Sequence, residues 1–130
     1  MFIEINFESN KPIYTQLVEQ IIAGIAKGDL QAGERLPSVR NMAEDIGINM
    51  HTVNKAYQEL RDRSFILIHR QRGVVINPQG VPKADEKYIS ILSEQFHPLI
   101  AESICRHLSK DKIQKIVTKI YESYQTKEGE

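Results

Sequence analysis

The chain contains a single cysteine, Cys105, in 130 residues, so it cannot close an internal disulfide. Such cysteine usage fits a reducing compartment, and a cytoplasmic location is expected. Net charge is also lacking: 17 lysines and arginines balance 17 aspartates and glutamates. A uniformly basic surface is thereby excluded, and affinity for a polyanion would have to come from uneven placement of charge. No apolar run approaches the roughly 18 residues that suggest a membrane span, so no membrane partner is expected. The opening "MFIEINFESN" carries Glu4 and Glu8 where a signal peptide needs a basic start and an unbroken apolar run, so export is not expected.

Catalytic signatures are missing as well. There is no glycine-rich phosphate loop, nucleophile elbow or well-spaced ligand cluster, so neither an enzyme nor a cofactor is expected. His97, Cys105 and His107 lie close in sequence, but on one helix position 107 is rotated by about 200° from 105. One ion would need a distorted helix or a partner chain, so no metal is expected, and Cys105 reads as a small buried hydrophobe.

What is present is periodicity. A chain of this length can bury about two-thirds of its unfolded surface, enough for a core. Phe2 to Phe7 alternates and predicts a short strand. Ile13, Leu17, Ile21 and Ile25 recur every four residues, with Pro12 suited to the first turn and Gly28 to the end, and predict a long helix. "GDLQAGERLPS" is a turn-rich connection. Ser38 can cap a second helix whose face is Val39, Met42, Ala43 and Ile46, stopped at Gly47. Asn49 can cap a third, in which Val53, Ala56, Tyr57 and Leu60 face inward. Phe65 to Ile68, the turn "HRQRG" and Val74 to Ile76 then form a hairpin, with Gly73 supplying a special backbone conformation or a close approach.

Helix, turn, helix and hairpin in this order is a winged helix-turn-helix, a layout suited to duplex DNA. The expected fold is mainly α with a small β wing: a DNA-binding domain over residues 1–77, a linker at 78–83, and a two-helix dimerisation or effector tail at 84–130. No acidic residue falls between Asp62 and Asp85, whereas Arg63, Arg70, Arg72 and Lys83 do, so positive charge is concentrated at the hairpin. In the tail, Tyr88, Ile91, Leu92, Phe96, Leu99, Ile100, Ile104 and Leu108 make one stripe, and Pro98 is expected to kink or divide that helix. After a start at Ser109 or Asp111, Ile113, Ile116, Val117, Ile120, Tyr121 and Tyr124 make another. The stripes could cover each other, dock on the first unit or pair with a second chain, and their extent favours a homodimer. The last five residues, "TKEGE", are expected to fray.

The segment "PIYTQLVEQIIAGIAKGDLQAGERLPSVRNMAEDIGINMHTVNKAYQEL" resembles the GntR family of bacterial transcription regulators, with the match covering roughly Pro12 to Ile76. The short helical tail is similar to that of the YtrA-like branch, whose members are dimers without a large effector domain and are often linked to transporter genes. The resemblance implies that Arg35 and Arg40 hold phosphates, assisted by amides at Ser38. It also assigns DNA contacts to Asn49, Met50, His51, Thr52, Asn54, Lys55 and Tyr57 in the recognition helix and to Arg70, Arg72 and Gly73 in the wing. For Tyr57 the helical spacing favours core packing instead. The surface ion pairs open to Arg35 and Arg40 are with Glu34 and Glu44.

Three departures from the family pattern stand out. Met50 replaces a common arginine and can offer only apolar contact, for instance to a thymine methyl. Ser64 stands where glycine is usual, and Gln71 replaces the first wing glycine. The implied function is a repressor or activator binding an inverted repeat as a homodimer, tuned by a small-molecule effector. The alternative is a protein-interaction module in which the winged helix is only a scaffold, a reading supported by the zero net charge.

Overall fold

The computed structural model describes residues 3–125, which contain five helices and three short strands. The fraying expected at 126–130 lies outside them, as does Phe2. The chain divides into two units, Met1–Pro82 and Lys83–Glu130.

In the first unit, α1 (Ile13–Lys27) follows Pro12, which occupies the N-cap and not the first helical position, and ends at Gly28 with φ 83°. Its buried face is Gln16, Leu17, Val18 and Ile21. Gln16 is the polar member of that face, and its amide explains why residues 3–7 are not the expected strand. Asn6 N–H donates to Gln16 Oε1 at 2.9 Å, while Gln16 Nε2 donates to the carbonyls of Asn6 at 3.0 Å and Lys11 at 2.9 Å. Gln20 likewise accepts from Glu4 N–H at 2.9 Å and donates to its carbonyl. Two side-chain amides thus satisfy an extended segment that would otherwise need a neighbouring strand.

Strand β1 (Arg35–Leu36) lies within the connection read from sequence as turns. It joins β2 (Ile66–His69) and β3 (Gly73–Ile76) in an antiparallel sheet of order β1-β3-β2. The hairpin was legible, but β1 was not. It is held by β3, with Ile76 N–H donating to the Glu34 carbonyl at 2.8 Å and Gly33 N–H to the Ile76 carbonyl at 2.9 Å.

Two further helices follow β1 in the chain, α2 (Val39–Ile46) and α3 (Met50–Asp62). Val53, Ala56, Tyr57 and Leu60 of α3 are fully buried among Leu17 and Ile21 of α1, Met42 of α2, and Ile66, Val74 and Ile76 of the sheet. Each large aliphatic side chain removed from water in this way contributes about 1.5–3 kcal/mol. α3 packs on both other helices and on β2, so the core fixes its roll and decides which of its residues reach solvent.

The second unit contains α4 (Glu86–Cys105) and α5 (Lys110–Gln125). Asp85 caps α4 by accepting from Tyr88 N–H at 2.8 Å, and Ser109 caps α5 by accepting from Lys112 N–H at 3.1 Å. Pro98 does not divide α4, which runs through it. Neither helix has a buried residue, and the two do not cover one another. Cys105, expected in a core, is exposed, as is most of α4, which has no buried residue. His107, with φ 60°, lies beyond the helix end. Among the described residues no helix is long and apolar enough to cross a membrane.

Candidate nucleic-acid interface

The turn between α2 and α3 sets the geometry. Gly47, at φ 78°, ends α2 in a left-handed conformation that most side chains resist, and the N–H groups of Gly47 and Ile48 donate to the Ala43 carbonyl at 2.9 and 3.0 Å. Two residues later α3 begins, capped by Asn49 Oδ1, which accepts from His51 N–H at 2.7 Å. At α2 the Ser38 hydroxyl accepts from Asn41 N–H at 3.1 Å. Neither helix has an acidic residue in its first turn, so no carboxylate neutralises the partial positive charge there.

Burial sorts the side chains of α3 cleanly. Asn49, Met50, His51, Asn54 and Lys55 are exposed and Thr52 is half-buried. Tyr57 has no exposed surface, which removes it from the contacts implied by the resemblance. The physical reason is its place in the i, i+3, i+4, i+7 stripe that the core requires. Its hydroxyl donates to the Pro37 carbonyl at 2.8 Å, and burial pushes its phenol pKa well above the ordinary tyrosine value of 10.0. Lys55 has a contact that spacing did not announce: Nζ sits 3.9 Å from the centroid of the Tyr14 ring on α1. A cation over an aromatic face is steadied without losing its charge.

The sheet brings the wing toward the start of α2. Leu36 pairs with Val74, and His69 with Gly73, so the chain leaving β1 heads for the turn end of the hairpin before it reaches Ser38. That turn carries Arg70, Gln71 and Arg72, all exposed. Gly73 has φ 78°, and a Cβ built there meets nothing within 4 Å. Of the two reasons considered for this glycine, backbone conformation is the one that applies. Ser64, where the family has glycine, does adopt the left-handed conformation, at φ 68°. It closes α3 through Phe65 N–H to the Leu60 carbonyl and Ser64 N–H to the Arg61 carbonyl, both at 2.9 Å.

The arginines fall into two groups. Arg61, Arg63 and Arg106 each lie within 3.4 Å of a carboxylate, on Asp62, Glu59 and Glu102 respectively. Among the described residues, Arg35, Arg40, Arg70 and Arg72 form no ion pair, so the pairs considered with Glu34 and Glu44 are not made. No group of three or more histidines, cysteines and carboxylates among the described residues could hold a metal ion.

Three helices with a three-stranded sheet, a glycine turn before an outward-facing helix start, and a basic hairpin tip define a winged helix-turn-helix protein. The chain belongs to the GntR family of bacterial regulatory proteins, whose model matches residues 13–76. It is 32% identical over 118 residues to the HTH-type transcriptional repressor YtrA of Bacillus subtilis (strain 168), a match covering 91% of each chain. Its structure is similar to that of a transcriptional antiterminator from Listeria monocytogenes EGD-e, with TM-score 0.86 and 31% identity over 95% of this chain and 92% of that one. It is also similar to YtrA from Sulfolobus acidocaldarius, a GntR-family transcription factor, with TM-score 0.64 and 39% identity over 78% of this chain and 99% of that one. Family membership groups the chain with transcriptional regulators and not with enzymes.

Proposed function

We propose that this protein is a sequence-specific DNA-binding transcriptional regulator that acts as a homodimer on an inverted repeat, each winged unit taking one half-site. The observation that carries the reading is the set of four arginines without carboxylate partners, Arg35, Arg40, Arg70 and Arg72. The other arginines in the chain are all paired, so charge has been left open at the wing and at the approach to α2. Phosphates are the natural partners for such guanidinium groups, and the amides at Ser38 add to them. Asn49, Met50, His51, Thr52, Asn54 and Lys55 then meet base edges and the flanking backbone in the major groove, while Arg70, Arg72 and the turn at Gly73 follow the neighbouring groove or strand.

Dimerisation is supported by the tail. Tyr88, Ile91, Phe96, Leu99, Ile100, Ile104, Ile116, Ile120 and Tyr121 are all exposed, and Leu92 is only half-buried. Apolar surface on this scale is rarely left to water and finds cover in a second copy. The YtrA relative from Bacillus subtilis is a repressor, which favours repression here. A small-molecule effector would act by changing the spacing of the two winged units, with affinity differing between the two arrangements. The test is an electrophoretic mobility shift of the full chain on the duplex upstream of its own gene over a salt series. Binding that weakens steeply with salt supports the reading, and no binding to any genomic duplex removes it.

A further inference from the structure

Met50 breaks the rule that the rest of α3 obeys. The other apolar residues of the helix are buried, yet Met50, at its first position, is 46% exposed. It lines an open depression of about 580 Å³ together with Val39 from the first turn of α2, Asn49, His51 and Asn54. This lining contains neither lysine nor arginine. Met50 and Asn54 are four residues apart and therefore share one side of the helix. The Asn49 side-chain oxygen is already committed to the cap, whereas among the described residues the Asn54 side-chain carboxamide has no hydrogen-bond partner. The depression therefore offers one free carboxamide beside an apolar patch made by Met50 and Val39.

Each base pair shows the major groove a different face. Guanine presents two acceptors, best met by arginine or lysine; adenine presents an acceptor and a donor that match one carboxamide; thymine presents a methyl group. We propose that this end of α3 selects A·T pairs, with Asn54 on an adenine edge and the Met50–Val39 patch covering the C5-methyl of a thymine at a fixed position in each half-site. The proposal rests on the DNA-binding reading above and adds to it the identity of the base read.

The test uses the full chain. Bound duplexes are first selected from a random pool, and each thymine of the selected site is then replaced singly by deoxyuridine, which removes only the methyl group. The expected result is loss of affinity at one thymine per half-site by about fourfold, the worth of one buried methyl-sized group, with the other thymines indifferent. In Met50→Ala, thymine and deoxyuridine at that position should bind equally. Three results would overturn the proposal while leaving DNA binding intact: no deoxyuridine effect at any position, an effect that persists unchanged in Met50→Ala, or G·C accepted as well as A·T at that position. Failure to enrich any duplex would overturn both the proposal and the reading beneath it.

Discussion

The Tyr57 hydroxyl donates to the Pro37 carbonyl at 2.8 Å, joining the middle of α3 to the residue just before the α2 cap. One bond thus ties the body of the outward-facing helix to the start of α2. Tyr57→Phe keeps the ring in the core but leaves the Pro37 carbonyl without this donor. A loss of about 1–3 kcal/mol in unfolding free energy is expected from denaturant titration. Alkali provides a second check. Burial raises the folded-state phenol pKa above its unfolded value of 10.0, so the folded chain prefers the neutral form. Stability is therefore fully retained below that pH and declines as pH rises through and beyond it. The decline should be shallower in Tyr57→Phe.

Ser64 bears a conformational cost that glycine would not, since a left-handed backbone costs a side-chain-bearing residue about 1–2 kcal/mol. Ser64→Gly is expected to raise stability by about 0.5–1 kcal/mol, after the greater freedom of glycine in the unfolded chain is set against the relief. A higher denaturant midpoint with an unchanged slope is the readout.

Arg70→Ala and Arg72→Ala should each weaken binding to DNA broadly, whatever the sequence, and lower the slope of log affinity against log salt by about 0.9 per half-site, roughly two for the homodimer. Arg61→Ala and Arg63→Ala, whose guanidinium groups already face Asp62 and Glu59, should change neither quantity. If the winged helix were only a scaffold for a protein partner, the wing substitutions would leave that partner bound.

Leu99 and Ile104 are 64% and 66% exposed in the single chain. A double substitution, Leu99→Glu with Ile104→Glu, is expected to halve the mass measured by light scattering. Far-ultraviolet helicity of the winged unit should survive. A mass unchanged by the two charges would refute the role given to the tail.

Much of the first unit was legible because its signals are local. Ser38 and Asn49 accept the amide bonds expected of caps, Gly47 stops α2, and the inward stripe of α3 is fully buried. What escaped depended on partners remote in sequence. Ile3 and Ile5 alternate as strand residues do, yet the segment is satisfied by Gln16 and Gln20 of α1, and no periodicity reports a side chain acting as a strand. β1 has two residues, too few to show a period, and exists because β3 offers an open edge. At the interface, exposure followed from helical phase, which separated Tyr57 from its neighbours. The ring beneath Lys55 and the absence of partners for four arginines are facts of three dimensions.

Equal numbers of cationic and anionic side chains shape how the protein would meet a polyanion. With cations and anions cancelling, the molecule as a whole is not drawn to a polyanion, and long-range capture gives way to torque. On the proposed reading, a duplex within about one Debye length, ~8 Å at physiological ionic strength, would turn the open guanidinium groups of the winged unit toward itself. Encounter is then governed by orientation, and collisions made with the wrong side forward separate instead of sliding.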